Sequence, residues 1–264
     1  IYDGLPWSEL GKVLPLGIRN GSAPDTFCLP NNMEGAVAVN ENWVQPIEDY
    51  IPNFQEWKAG FPEGSFIEGI NVFDGVTFGC PYGGQRRYDD AVLFNQNLMN
   101  EIGYSHIGAT RGFTYDEMRD AAAKMTKAGT PGIIIGGKAA WRWSTAATHL
   151  AQRSGATVGT WGLWQGMNFE KGEYDYASDH YVEAVELLLA MRDDGSFFPG
   201  VNSLIPPQAR EFMTQGAAGM IIQGPWNVPI WQDAAPNFNF GVSPVAAPNE
   251  SAFGNPLYLS LIHI

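Results

Sequence analysis

Basic residues are scarce: 15 Lys and Arg stand against 28 Asp and Glu, for a formal net charge of −13. Grip on a phosphate backbone comes from clustered cations that release counterions, so this balance excludes nucleic acid as a partner. Charge of either sign is thin as well, at 16% of residues against roughly 25% in average soluble domains. Apolar residues reach 45%, so a low charge content here means a globular, loop-rich chain and not a disordered one. No apolar run approaches the roughly 18 residues of a spanning helix, and any membrane anchor lies outside this text. Cys28 and Cys80 are the only cysteines. They show neither metal-ligand spacing nor a CxxC pattern, and whether they form a disulfide stays open. With only four His and no nucleophile elbow, a serine or cysteine hydrolase is excluded. The alternating ligands and glycine of a calcium loop are missing around Glu173, Asp175 and Asp179, which read as a solvated helix start. No metal site, cofactor or catalytic residue is expected.

What is present is length and aromatic content. At 264 residues the chain is long for one core and comfortable for two lobes. Nine Trp, ten Tyr and fifteen Phe are more than a core needs, and many of the Trp sit in Gly-, Pro- or Asn-containing segments. That setting points to surface or cleft rings for some of them and core filler for the rest.

Hydrophobic spacing predicts a helix over Trp7–Asn20 despite Pro15, a short strand at Thr26–Leu29 and another at Ala36–Val39. A helical turn is expected at Pro46–Tyr50. Val72–Gly79 reads as a hairpin, since Asp-Gly between β-formers is a strong turn signal. A strand at Ala91–Phe94 and a helix at Asn97–Ile102 follow. Thr114-Tyr115-Asp116-Glu117 is a capping box opening a helix that ends before Gly129. Then come a buried strand at Pro131–Gly136, a helix over Trp143–Arg153 closed by Gly155, and a helix over Asp179–Asp193 that turns Val182, Val185, Leu188 and Leu189 to one face. A helix at Gln208–Thr214, a strand at Gly219–Ile222, a helix at Trp226–Gln232 and a strand from Phe240 complete the alternation. Such alternation predicts an α/β fold with largely parallel sheets.

Several phrases taken in order resemble the family 1 extracellular solute-binding proteins of ABC importers, the maltose-binding-like group. They are Gly21-Ser22-Ala23-Pro24-Asp25, Pro46-Ile47-Glu48-Asp49-Tyr50, Phe73-Asp74-Gly75 through Tyr82, Leu93–Leu98, Thr114–Met118, and Gly216-Ala217-Ala218-Gly219-Met220 running into Gly224-Pro225-Trp226. The likeness covers nearly all of residues 8–258. It implies a two-lobe, type II periplasmic-binding fold, each lobe a largely parallel sheet flanked by helices. Residues 1–108 would form the first lobe, 109–240 the second, and 241–258 the return to the first. The family's opening strand, helix and strand and its closing helices would lie beyond the two ends, so the chain is expected to be an incomplete fragment, unstable when expressed alone. Leu259–Ile264 match the translation of a transposase-end adapter and are expected to be a non-native tail of a metagenomic reading frame.

The resemblance implies a monomeric, extracytoplasmic and not enzymatic protein. It would sit in the periplasm or on the outer face of the membrane as a lipoprotein and carry a sugar to the transmembrane subunits of a permease. A sugar offers apolar ring faces to aromatic rings and hydroxyls to Asn, Gln, Asp and Arg, and a cleft that closes over it excludes water. Trp226 lies between a buried strand and a helix, where the family places a stacking aromatic; the other reading is a packing Trp. Trp141, Arg142 and Trp143 also follow a strand's carboxyl end, where ligands sit in open α/β sheets, one Trp stacking and the other packing. In the first lobe Asn31, Asn32, Tyr82, Gln85 and Arg86 are candidates to bond hydroxyls, or else solvated loop residues. Trp164, with Trp161, is a rim residue or part of a surface hairpin. Asp25 is read as a turn anchor and not a contact.

Two rivals remain. A glycoside hydrolase needs two facing carboxylates, one with a raised pKa, and no such pair stands out. A binding protein of the same fold for a polyamine, phosphodiester or peptide is the nearer rival. A cationic cargo would want acids in the cleft loops, where this chain has Asn, Gln, Arg and Trp.

Overall fold

Alternation of period two along three strands sets the architecture of the larger part of the molecule. Val92 and Phe94, Ile133 and Ile135, and Met220 and Ile222 belong to one buried cluster, while Ala91 and Leu93, Ile134 and Ile221 belong to another. Successive side chains of a strand point to opposite faces, so two cores on one set of strands mean a sheet covered on both sides. The computed structural model describes residues 5, 7–29, 35–61, 65–80, 90–160, 165–168 and 170–255. By contacts the chain divides into two units, 1–86 with 262–264, and 87–261.

In the first unit, α1 spans Trp7–Arg19, with Leu14 buried. Thr26–Leu29, expected as a strand, is not one. Ala36–Val39, also expected as a strand, lies in the helix α2, Gly35–Asn40. The alternating Ala and Val mimic a strand, but Gly35 lets the backbone close on the carbonyl of Ile70, where a Cβ would come within 2.5 Å, and Ala38 is fully buried. α3, Phe54–Ala59, contributes Trp57 to an aromatic cluster with Phe54, Phe61 and Phe66 at centroid distances of 4.8 to 5.8 Å. The hairpin forms as expected: β1, Val72–Phe73, pairs antiparallel with β2, Val76–Thr77. Asp74 and Gly75 both take positive φ, 51° and 78°, as the two central residues of this tight turn require. The Pro46–Tyr50 turn clamps the hairpin, Ile47 N donating to Thr77 O at 2.9 Å and Thr77 N to Glu48 Oε1 at 2.9 Å. Cys28 and Cys80 are both exposed free thiols.

The second unit opens with β3, Ala91–Asn95, and Asn95 caps α4, Gln96–Glu101, by accepting from the amides of Asn97 and Leu98. The Thr114 capping box is present: Glu117 N donates to Thr114 Oγ1 and Thr114 N to the Glu117 carboxylate, starting α5, Tyr115–Lys127. β4, Ile133–Ile134, leads to α6, Trp141–Ser154, closed by Gly155 at φ 118°. A small hairpin, β5 (Met167–Asn168) and β6 (Glu173–Tyr174), precedes α7, Asp179–Asp193. α8, Pro206–Thr214, then β7, Met220–Gln223, α9, Asn227–Ala234, and β8, Phe240–Ser243, complete the unit. Helices α5, α6 and α7 supply one core, and α8 and α9 the other.

The sheet order is β4-β7-β3-β8. β4 and β7 pair in parallel, whereas β3 is antiparallel to both β7 and β8. The expected largely parallel sheet is therefore mixed, and for one reason. β4, β7 and β8 share a direction and are joined by helical crossovers, but β3 enters between β7 and β8 running the other way and reverses two of the three ladders. Locked on both sides, β3 belongs by contact to the second unit, which begins at residue 87.

The buried face of α7 also differs from expectation. Tyr181, Ala184, Leu187 and Met191 are buried, while Val182, Val185 and Leu189 are exposed. The helix is apolar nearly all round, so spacing alone does not choose a face. Ala184 allows close approach to α6, and Tyr181 Oη donates to Thr148 Oγ1 at 3.0 Å. Among the described residues, no helix is long and apolar enough to cross a membrane.

Candidate functional site

Because β4 and β7 are parallel and β3 is reversed, the carboxyl ends of the first two meet the amino end of the third. Ala91 is opposite Gln223 in the ladder. At this edge the backbone leaves the sheet through two glycine-bearing turns, Gly136-Gly137 after β4 and Gly224-Pro225 after β7. Gly136 packs on Pro206, where a Cβ would fall 2.4 Å from its Cα, and the loop is tied down by Gly137 N to Val201 O and Lys138 N to Leu204 O. The Gly224 carbonyl accepts from both Asn227 N and Asn227 Nδ2, which fixes the second turn.

Each turn delivers an indole to the surface. Trp141 is 46% exposed and Trp226 is 38% exposed. Trp226 folds back over its own turn, and a Cβ on Gly224 would lie 1.5 Å from its Cζ3, so glycine is what permits this pose. Trp143 is different: it stacks edge-on against Phe197 at 5.2 Å, and its Nε1 donates to Asn202 Oδ1 at 3.1 Å. Of the two tryptophans that open α6, Trp143 is thus a packing residue and Trp141 the presented one.

Arg142 sits beneath the surface and not on it, at 1% exposure. Its guanidinium pairs with Asp90, Nη2 to Oδ2 at 3.1 Å, and donates to the carbonyl of Ile222. Its Cζ is 5.2 Å from the Trp141 ring centroid, backing that ring from within. The sequence makes Arg142 a candidate ligand contact; the structure places it beneath the surface, with its hydrogen bonds going to partners on β7 and just before β3.

Asp90 is equally buried and also faces His149 Nδ1 at 3.1 Å. An ionised carboxylate only accepts, so Nδ1 carries the proton. Burial alone would push the Asp90 carboxyl up, but Arg142 and His149 outweigh it and hold the group below the usual carboxylate range. A carboxylate held as an anion is the reverse of the raised-pKa acid a glycoside hydrolase needs.

Two further polar side chains lie at this edge. Gln223, 3% exposed, and Asn227, fully buried, have acceptor oxygens, Oε1 and Oδ1, with no hydrogen-bond partner. Asp90, His149, Gln223 and Asn227 all escaped sequence reasoning. The one available signal was the polar residue breaking each apolar run, Gln223 after Met220-Ile221-Ile222 and Asn227 after Gly-Pro-Trp. Asn31, Asn32, Tyr82, Gln85, Arg86 and Trp164 lie outside the described residues. Among the described residues no group of His, Cys, Asp and Glu is arranged to hold a metal ion.

Comparison with known proteins agrees with this architecture. Binding proteins of Brucella abortus and Brucella suis are 24% identical over 253 residues, 96% of this chain and 57% of theirs. A solved structure from work on xylan utilisation by Caldanaerobius polysaccharolyticus superposes with a TM-score of 0.71 at 17% identity, covering 95% of this chain and 60% of the other. The galacto-N-biose/lacto-N-biose I-binding protein of Bifidobacterium longum gives 0.64 at 17% identity over 96% of this chain and 57% of that one, and a chitin oligosaccharide binding protein gives 0.66 at 18% over 95% and 59%. The chain therefore spans about 57 to 60% of the length of these relatives. The model of the family described as bacterial extracellular solute-binding protein, a family of binding proteins and not of enzymes, matches residues 2–260, and this chain belongs to that family.

Proposed function

We propose that the protein captures a sugar or oligosaccharide outside the cytoplasm and hands it to the membrane permease of an ABC importer. The observation that carries this reading is the pair of exposed indoles, Trp141 and Trp226, on the turns after two adjacent parallel strands. What sets these two rings apart from other exposed apolar side chains is their place, at the carboxyl ends of adjacent parallel strands, where ligands sit in open α/β sheets. A pyranose ring is the matching surface: flat C–H faces for the indoles and hydroxyls for polar groups such as Asn227 and Gln223 at the base of the turns. The family and the sugar-binding names of several structural neighbours point the same way.

The test is a thermal-shift screen of purified protein against mono- and oligosaccharides, with polyamines, phosphodiesters and short peptides as the other arms. At least one sugar should raise the midpoint in a dose-dependent way. A midpoint raised by a polyamine or a peptide, with every sugar inert, would overturn the reading.

A further inference from the structure

In a chain with so many more acids than bases, every arginine should find a partner, and in the second unit all the described ones but one do. Arg111 pairs with Glu117 and Glu250, Arg119 with Asp194, Arg142 with Asp90 and Arg192 with Asp193, while Arg153 donates to the carbonyls of Val245 and Phe253. Arg210 is the exception: it is half-buried on α8, yet makes no hydrogen bond or ion pair among the described residues.

Its position gives that exception meaning. α8 begins at Pro206, which is packed on Gly136 at the carboxyl end of β4, so the first turn of α8 abuts the turn that leads to Trp141. Arg210 is four residues on, on the same side of the helix. It is close enough to Arg142 to feel its charge. Arg142 is already neutralised by Asp90, so among the described residues the guanidinium of Arg210 is a half-buried charge without a counter-ion at this edge. A cation taken partly out of water without a counter-ion costs stability, and a protein retains one where the counter-ion arrives with the ligand. Guanidinium also presents a planar fork that fits a carboxylate or phosphate with two hydrogen bonds.

We infer that Arg210 is a specificity-determining residue, and that the solute stacked by Trp141 and Trp226 carries an oxyanion, as in a uronate or a phosphorylated sugar. The inference rests on the proposed capture of a sugar and narrows it from saccharides at large to acidic ones.

Calorimetric titration of the purified protein distinguishes the cases, with digalacturonate against its methyl ester and glucose 6-phosphate against glucose. The members of each pair share a ring and differ in charge. At least one acidic member should bind tenfold or more tightly than its neutral counterpart, and the preferred pair separates a carboxylate from a phosphate. Arg210→Gln should abolish that preference and leave affinity for the neutral member within about twofold, while Arg210→Lys should retain part of it. The Gln variant should unfold at the same or a higher urea concentration than the parent, since it removes an unpaired charge; a lower midpoint would make Arg210 a structural residue and overturn the inference. Equal binding of acidic and neutral members, unchanged by Arg210→Gln, would overturn it too and leave sugar capture standing. If no sugar of either kind binds in any arm, both readings fall.

Discussion

Replacing Asp90 with Asn keeps the shape of the side chain and removes its charge, leaving Arg142 as a cation at 1% exposure with no counter-ion. Removing one partner of a buried ion pair costs about 3–5 kcal/mol, because the remaining charge has neither water nor a partner. Each kcal/mol moves the thermal midpoint of a domain of about 150–250 residues by ~2–4 °C. The Asn variant should therefore melt ~6–20 °C below the parent by circular dichroism. Arg142→Met should lose a similar amount, since it strands the Asp90 anion against His149. The double variant Asp90→Leu/Arg142→Met buries no charge. It still takes the Arg142 donor from Ile222 O and the Asp90 acceptor from His149 Nδ1–H, at about 1–3 kcal/mol each, so it should cost about as much as one single variant and far less than their sum. Additive losses, or single variants that melt within ~2 °C of the parent, would refute the idea that this pair holds α6 to the strand edge. The same double variant decides the role of Arg142: if the residue supports the site and does not touch the ligand, binding in the folded double variant should fall only modestly.

Further outcomes follow from the same geometry. Trp226→Ala should weaken sugar binding about tenfold or more by calorimetry with little change in urea midpoint, whereas Trp143→Ala should chiefly cost stability, ~1–3 kcal/mol by urea unfolding for a part-buried ring, because its contacts are with Phe197 and Asn202. Gly224→Ala puts a methyl where the Trp226 ring lies, so it should impair binding nearly as much as removing the ring and shift the Trp emission maximum. Thr114→Ala removes the cap of α5 and should cost ~1 kcal/mol by urea unfolding. Acid should destabilise the second unit with a definite sign. Burial pushes Glu117 up, but Arg111 and the Thr114 amide outweigh it and set its carboxyl below its ordinary 4.5, and Asp90 lies below 3.8 in the same way. Stability from these groups is complete above those ordinary values and is lost as pH falls through the lower folded ones, so a midpoint unchanged between pH 7 and pH 5 and falling below pH 4 is expected.

How much of this was legible in the text depended on whether the deciding interaction was local. The Asp74-Gly75 hairpin and the Thr114 capping box are closed by residues within a few positions of one another, and both are where sequence reasoning put them. Gly35–Asn40 was misread because its helix is chosen by Ile70 and Phe73, which pack on Gly35 from some 35 positions away. The face of α7 was misread because apolar residues surround it, and its burial is settled by Thr148 on α6. Arg142 is the instructive case. Between two tryptophans at the start of a helix it looks like a ligand contact, and only Asp90, 52 positions earlier on the chain, shows that its charge is already spoken for. Arg210 is the converse: nothing in Gln208-Ala209-Arg210-Glu211 marks it, and Glu211 beside it looks like its partner. The fold turns that carboxylate toward Gln215, whose Nε2 donates to it at 3.2 Å, and leaves the guanidinium, near Arg142, without a partner among the described residues. In a chain this acidic, a half-buried guanidinium left over once the described pairs have formed is informative, and only the three-dimensional pairing reveals it.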